Sequence, residues 1–522
     1  MLDFDGDGWL DVYCVQGGKF PPDPRDTTCG DRLYHNKGNG TFEDVTEASG
    51  LTRFARGYGH GMTVGDIDND GRPDLFITRW GAYALYRNLG QGRFEDVTER
   101  WGLGGDRDWP TSAALADLDG DGDLDLYVCH YFRWNAAELA SCYDPANPSV
   151  YRCSPRDFPS LPDHLFRNDG DHFTDVSEAA GIKAGDQDGR GFGVVASDLD
   201  EDGRLDLFVT NDMSANFLWR NLGGLHFEEI AHEAGVAGNA SGGYQAGMGV
   251  ASDDFDGDGR PDIAVTNFYN ESTTFFQNLG GGRFADHTQA IGLAAPTRFL
   301  LGFGITFLDV DNDASLDLMT ANGHITDGRP QIPWRMPAQL LRGQGGQVRD
   351  ISARAGAPFA LTHIGRALAA GDLDNDGRVD ALMIAQDEPI VSFHNTTETP
   401  ARSLTLALEA RSPGTNRDAV GAVVTVETGG RKRVARRIGG GSYQTAADPR
   451  LRFGLAESSQ ADRVEVRWPS GTKQVYTKLP AGGHRLIENQ PEPQPLPGFR
   501  PTGHAEASAH PSQRPPERQA TP

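Results

Sequence analysis

The residues best suited to chemistry lie in the stretch Asp198-Leu-Asp200-Glu-Asp202-Gly203-Arg-Leu-Asp206. Carboxylates fill positions 1, 3, 5 and 9 of a nine-residue loop, glycine fills position 6, and the β-favouring run Leu207-Phe-Val-Thr210 follows at once. A hard divalent cation takes six to eight oxygens in flexible geometry, and short aspartates on alternate residues of a tight turn can all point inward. Glycine at position 6 supplies the positive φ of that turn. The chemistry this spacing predicts is Ca2+ coordination, with a backbone carbonyl from position 7.

The same arrangement recurs in six other places, so 28 aspartates fill the four acidic positions without a substitution. The predicted metal ligands are Asp3, Asp5, Asp7 and Asp11; Asp66, Asp68, Asp70 and Asp74; Asp117, Asp119, Asp121 and Asp125; Asp198, Asp200, Asp202 and Asp206. They continue with Asp254, Asp256, Asp258 and Asp262; Asp309, Asp311, Asp313 and Asp317; Asp372, Asp374, Asp376 and Asp380. Only the sixth loop departs from glycine at position 6, with Ala314. An EF-hand would need glutamate at position 12 between helices. Here position 12 is Cys14, Ile77, Val128, Val209, Val265, Thr320 or Met383, inside strand-like runs, which excludes it. Mg2+, which prefers fewer protein ligands, fits less well than Ca2+. Position 7 varies, as a main-chain ligand would allow. Carboxylates about 5 Å apart repel by roughly 3 kcal/mol per pair at an effective dielectric near 20, so the cation is expected to be part of the fold.

The elements that position these loops follow from what flanks them. Loop starts are 63, 51, 81, 56, 55 and 63 residues apart, a period of propeller blades rather than helical solenoids. After each of the first two loops comes a hairpin signature, Leu33-Tyr-His-Asn36-Lys-Gly38 and Leu85-Tyr-Arg-Asn88-Leu-Gly90, with weaker copies from Leu165, Leu218, Phe275 and Leu340. Before each loop from the second onward runs a strand rich in small residues, such as Gly191-Phe-Gly-Val-Val-Ala-Ser197, suited to a crowded axis. The unit is an inner strand, an acidic loop, a second strand and a hairpin. The expected fold is all-β: a seven-bladed β-propeller over residues 1–398, then a small β-rich domain over 403–489 and a disordered Pro-rich tail over 490–522.

These units resemble FG-GAP (VCBS-type) repeats, the blades of the integrin-α-like propeller, which implies Ca2+ held on one face. The later motifs Asn416-Arg417-Asp418-Ala-Val-Gly421, Gly441-Ser-Tyr443-Gln444, Leu451-Arg-Phe453-Gly454 and Val466-Arg-Trp468-Pro469 resemble the ASPIC/UnbV domain. That combination is similar to the cartilage acidic protein family over about residues 1–489, and it implies a fold and a cation without fixing an activity.

The chain has net charge −26, and seven divalent cations would leave about −12, which argues against nucleic-acid binding. No run of 18 apolar residues is present, so no membrane span is expected. Cys142 and Cys153 bracket a proline-rich insertion over about 130–163, and Cys14 and Cys29 bracket another loop. In an oxidising compartment both pairs are expected to bond, leaving Cys129 single; five reduced thiols are the alternative. The first blade lacks its inner strand and the last shows no clear fourth strand. A missing N-terminal segment, long enough to have held an export signal, is therefore expected, with a genuine open ring as the alternative, and the location expected is secreted, periplasmic or cell-surface.

If the loops mark one face, the second strands deliver Arg79-Trp80, His130-Tyr131, Asn211-Asp212, Asn267-Phe268-Tyr269 and Asn322-Gly-His324 to the other. The inner strands start there with Tyr58-Gly-His60, Trp109, Tyr244-Gln245 and His363-Ile-Gly-Arg366. Such a rim suits a protein or glycan ligand, which makes a binding or adhesion module the leading expectation. A calcium-dependent enzyme would need His60, His130, Asp212, His324 and Arg366 to converge as acid/base groups. Nucleophile-elbow, His-Glu-x-x-His, P-loop and dinucleotide motifs are missing. Oligomeric state is not legible.

Overall fold

The structure is a computed structural model that describes residues 1–18, 30–54, 57–134, 142–144, 147–151, 153–183 and 188–500. Cys29 and residues 501–522 lie outside these. Within them the chain is all-β and propeller-like: seven antiparallel sheets, one per acidic loop, follow one another in chain order.

The fourth sheet shows the plan. Gly191–Ser197 pairs with Asp206–Asn211 across the acidic loop, then come Phe217–Asn221 and Phe227–Glu229. The second, third, fifth and sixth sheets repeat this four-stranded meander; the first and seventh have three strands among the described residues. Small residues on the inner strands are a packing requirement. A Cβ on Gly193 would lie 2.6 Å from the Met248 carbonyl oxygen of the next inner strand, and one on Gly249 would lie 2.2 Å from that of Phe303.

Adjacent sheets are stapled by the hairpin asparagine. Asn88, Asn168, Asn221 and Asn278 each donate from Nδ2 to the position-2 carbonyl of the preceding loop, at 2.8 to 2.9 Å. Asn395 does the same to Val310 at 2.8 Å, and Asn36 of the first sheet reaches Leu373 of the seventh loop at 2.8 Å. The last bond closes the ring. The sixth sheet has Gly343 at this position, where a Cβ would lie 1.9 Å from the Leu316 carbonyl oxygen.

Two further four-stranded sheets complete the chain. One runs Leu451–Gly454, Ser403–Glu409, Gly482–Ile487, Gln494–Pro495; the other Arg431–Arg436, Val423–Thr428, Gln460–Arg467, Lys473–Pro480. They enclose a core that includes Leu404, Val424, Val464, Trp468 and Leu486. Of the stretch expected to be disordered over 490–522, the described residues 490–500 are ordered. Gln494–Pro495 pairs with His484 and Arg485, Pro497 lies on Gly8, and the Arg500 amide donates to Asn375. Packing of Pro497, Gly498 and Phe499 against Trp9, Gly8 and Gly483 overrides the local composition.

Between its two sheets this unit sends a segment, 439–448, along the centre of the ring. Gly439–Gly440 extends the fourth sheet beside Val195 and Ala196. Ser442 exchanges two backbone hydrogen bonds with Val250 of the fifth sheet, and its Oγ accepts from Ile305 of the sixth while donating to Leu368 of the seventh. Gln444 bonds Ser112 of the third sheet and packs on Gly61 of the second. Only glycine fits at 440, where φ is +70° and a Cβ would meet the Val194 oxygen at 2.4 Å.

Candidate metal loops and ligand surface

Each acidic loop is wound by its own aspartates. In five of them the position-1 carboxylate accepts the amide of position 6, as in Gly71 to Asp66 at 2.7 Å and Ala314 to Asp309 at 2.8 Å. The position-5 carboxylate accepts the amide of position 7 in all seven loops. Two residues per loop are left-handed: position 6, as the sequence indicates, and also position 4, where Gly6, Asn69, Gly120, Glu201, Gly257, Asn312 and Asn375 have φ between 52° and 80°. The mixed residue types at position 4 hid that requirement. Position 7 is less free than a main-chain ligand implies, because Arg72, Arg204, Arg260 and Arg378 each bond the hairpin asparagine carbonyl and the position-5 aspartate.

The position-9 aspartate joins loop to hairpin. Asp206 accepts the Leu199 amide at 3.1 Å and the Asn221 amide at 2.9 Å, and the other six loops repeat the pair. Burial pushes Asp74 and Asp262 up to about 8 and Asp11, Asp206 and Asp317 up to about 7. Burial and then the neighbouring carboxylates of Asp317 and Asp313 take Asp309 to about 8.

The carboxylates converge. One oxygen each of Asp66, Asp68 and Asp70, of Asp198, Asp200 and Asp202, of Asp117, Asp119 and Asp125, and of Asp3, Asp5 and Asp11 lie within 4.8 Å of one another. His35 joins Asp5 and Asp7 in the first loop, with Nε2 3.3 Å from both. Buried Asp198 Oδ1 and Asp311 Oδ1 have no hydrogen-bond partner, which in a low-dielectric setting is costly unless a cation meets them.

The rim residues do not assemble into an acid/base centre. His60 faces the Pro110 carbonyl at 2.8 Å between Tyr58 and Trp109, and burial lowers it to about 4. His130 is buried against Tyr83, 2.7 Å from its hydroxyl, with its ring tilted 4.7 Å from that of His164; burial first, then that histidine and Lys183, hold it well below the usual range. Asp212 accepts the Tyr131 hydroxyl, and burial raises it to about 6. His324 binds Thr326 and lies edge-on to Phe268 and Tyr269. Arg366 stacks 4.2 Å over Phe303 and donates to the carbonyls of Gly323, Gly365 and His324; burial lowers it to about 10. Arg366 and His324 are the one contacting pair among the five.

What fills the middle of the rim is an apolar cluster of Tyr131, Phe132, Phe158, Phe192 and Phe303, with Tyr443 of segment 439–448 among them. Phe132 and Phe158 come from the insertion between the second and third strands of the third sheet, where Cys142 and Cys153 form the expected disulfide. Of the other expected pair, Cys14 is a buried free thiol, as is Cys129, and Cys29 lies outside the described residues. A separate groove of about 910 Å3 is lined by Tyr58, Arg79, Trp80, Tyr83, Glu99 and Arg100.

The FG-GAP-like repeat family matches residues 3–77, 66–128, 198–265 and 254–320, which takes in the first six loops, and the ASPIC and UnbV family matches residues 412–493. The chain carries FG-GAP-like repeats and a C-terminal ASPIC and UnbV domain. It is homologous to cartilage acidic protein 1 of Xenopus tropicalis, 25% identical over 455 residues that cover 83% of this chain and 64% of that protein. The Mus musculus protein of the same name is 28% identical over 188 residues, 35% of this chain and 25% of its own. The chain thus spans under two thirds of these relatives. An Agrocybe aegerita lectin specific for non-reducing terminal N-acetylglucosamine aligns with TM-score 0.41 at 16% identity, over 74% of this chain and 90% of the lectin. The exotype rhamnogalacturonan lyase YesX aligns at 0.33 and 13% over 91% and 76%. The FG-GAP repeats are the sheets whose loops and asparagine staples are described above, and the ASPIC and UnbV domain supplies segment 439–448. No helix is long and apolar enough to cross a membrane among the described residues.

Proposed function

We propose that this protein is a calcium-binding, extracytoplasmic module that binds a protein or glycan ligand on the surface away from its acidic loops. The observation that carries the calcium reading is the set of buried carboxylate oxygens, Asp198 Oδ1 and Asp311 Oδ1, that no protein group meets inside loops of convergent aspartates. All 28 aspartates at positions 1, 3, 5 and 9 are the proposed ligand set, up to seven ions. Ca2+ bound there would supply charge neutralisation and hold each loop to its hairpin. The Cys142–Cys153 disulfide supports an oxidising location.

The ligand surface proposed is the groove of Tyr58, Arg79, Trp80, Tyr83, Glu99 and Arg100. Its volume of about 910 Å3 lies in the range of small-molecule and sugar sites, and it combines aromatic rings with both signs of charge. Scattering of His60, His130, Asp212, His324 and Arg366 among separate loop contacts removes support from an enzyme at the rim.

Calcium calorimetry followed by glycan and protein arrays tests the reading. Wild type should bind Ca2+ and retain at least one array ligand that Trp80→Ala loses while its melting midpoint holds. An unchanged midpoint after chelation would sink the calcium assignment.

A further inference from the structure

The ASPIC and UnbV domain grips the acidic loops through arginines on both sides of segment 439–448. On the entering side, Arg433 donates to the Ala314 carbonyl at 3.1 Å and Arg436 to the Gly259 carbonyl at 2.7 Å, both at position 6 of their loops. On the leaving side, Arg450 donates to the Asp372 carbonyl at 3.0 Å and to Asn375 Oδ1 at 2.8 Å. Asp418 accepts the Asp66 amide at 3.0 Å in the second loop. Both stems of the segment are therefore anchored on the loops, and its tip, Tyr443, is buried among Phe192 and Phe303 at the other mouth of the ring.

We infer that cation binding in the loops and seating of segment 439–448 are coupled, so that the domain is a latch whose hold on the axis depends on loop occupancy. The inference rests on the calcium reading above. Its physical basis is where the guanidinium groups bind. Those of Arg433 and Arg436 hold main-chain carbonyls whose direction is set by the left-handed residues at position 6, and they leave the loop carboxylates to face inward. A loop opened by carboxylate repulsion would carry these carbonyls away. Competition between guanidinium and cation does not reverse the sign, since four carboxylates with one divalent ion still leave a loop net negative and attractive to arginine. Coupling between two sites is reciprocal: if calcium tightens the segment, the seated segment tightens calcium by the same factor.

Hydrogen exchange on the full chain, with calcium and after chelation, reads the coupling directly. The amides of Gly441, Ser442 and Asp448, which bond Val194, Val250 and Ala370, should exchange at least about fivefold faster after chelation. Arg433→Gln with Arg436→Gln should give the fast exchange even with calcium present. Tyr443→Ala, whose ring contacts are with Phe192 and Phe303, should weaken calcium binding at least about fivefold by calorimetry. Calcium binding with protection of 441–448 unchanged by chelation overturns the latch and leaves the calcium reading standing. Absence of calcium binding overturns both.

Discussion

Asn36 and Leu373 are 337 residues apart, yet the Asn36 side chain donates to the Leu373 carbonyl at 2.8 Å and joins the first sheet to the seventh loop. Asn375 returns a bond of the same kind, from Nδ2 to the Gly8 carbonyl at 3.0 Å. The ends of the ring therefore meet through the side-chain grammar used between its interior sheets.

That grammar predicts the cost of breaking one staple. Asn221 is fully buried, and its Nδ2 serves both the Leu118 and Leu205 carbonyls. Asn221→Ala leaves both unsatisfied and should lower stability by about 2–4 kcal/mol in denaturant titration with calcium present. Exposed Leu222 next to it, mutated to alanine, should stay within about 0.5 kcal/mol.

The sixth sheet is the converse case. Gly343→Ala places a Cβ 1.9 Å from a backbone oxygen. It should cost about 1–3 kcal/mol, the usual range for overpacking, and be read as a lower denaturation midpoint. A variant as stable as wild type would contradict this packing.

Ala314 holds φ +70° where the other loops use glycine. Ala314→Gly should stabilise the protein by about 1 kcal/mol through relief of the left-handed penalty. Equal melting temperatures in calcium would refute that account.

Without calcium, stability should fall as pH rises. Buried loop acids have folded values raised to about 7 at Asp11 and Asp206 and about 8 at Asp74 and Asp262, above the ordinary carboxylate range. The folded state then binds more protons than the unfolded one between pH 4 and 8, so this contribution is full below pH 4 and lost on passing 7 to 8. The chelated protein should lose more than about 1.4 kcal/mol between pH 5 and 8, the worth of one pK unit. Saturating calcium should abolish the slope, and a chelated protein more stable at pH 8 than at pH 5 would reverse the sign.

Much of this architecture is legible because it repeats. Aspartates at positions 1, 3, 5 and 9, glycine at 6 and the hairpin asparagine recur in fixed register, and each needs its residue type for a local reason. The asparagine reads in sequence as a turn former, and its bond to the next sheet is visible only in three dimensions. Gly441-Ser-Tyr443-Gln444 is legible as a domain motif, but the place of segment 439–448 on the axis is not, because the run has no periodicity and its partners lie as far as 332 residues upstream. Rim histidines read as candidate acids and bases because composition cannot distinguish a side chain aimed into a cleft from one pinned to a carbonyl, as His60 is to Pro110.

Segment 439–448 also sets an order of assembly. The strands that surround it are synthesised first, and the residues that fill their centre emerge from the ribosome after all seven sheets. A nascent chain that stops short of Asp448 is a wheel without its spindle, with Phe192, Phe303 and Val250 facing water, so its final closure waits until residues 439–448 have been made.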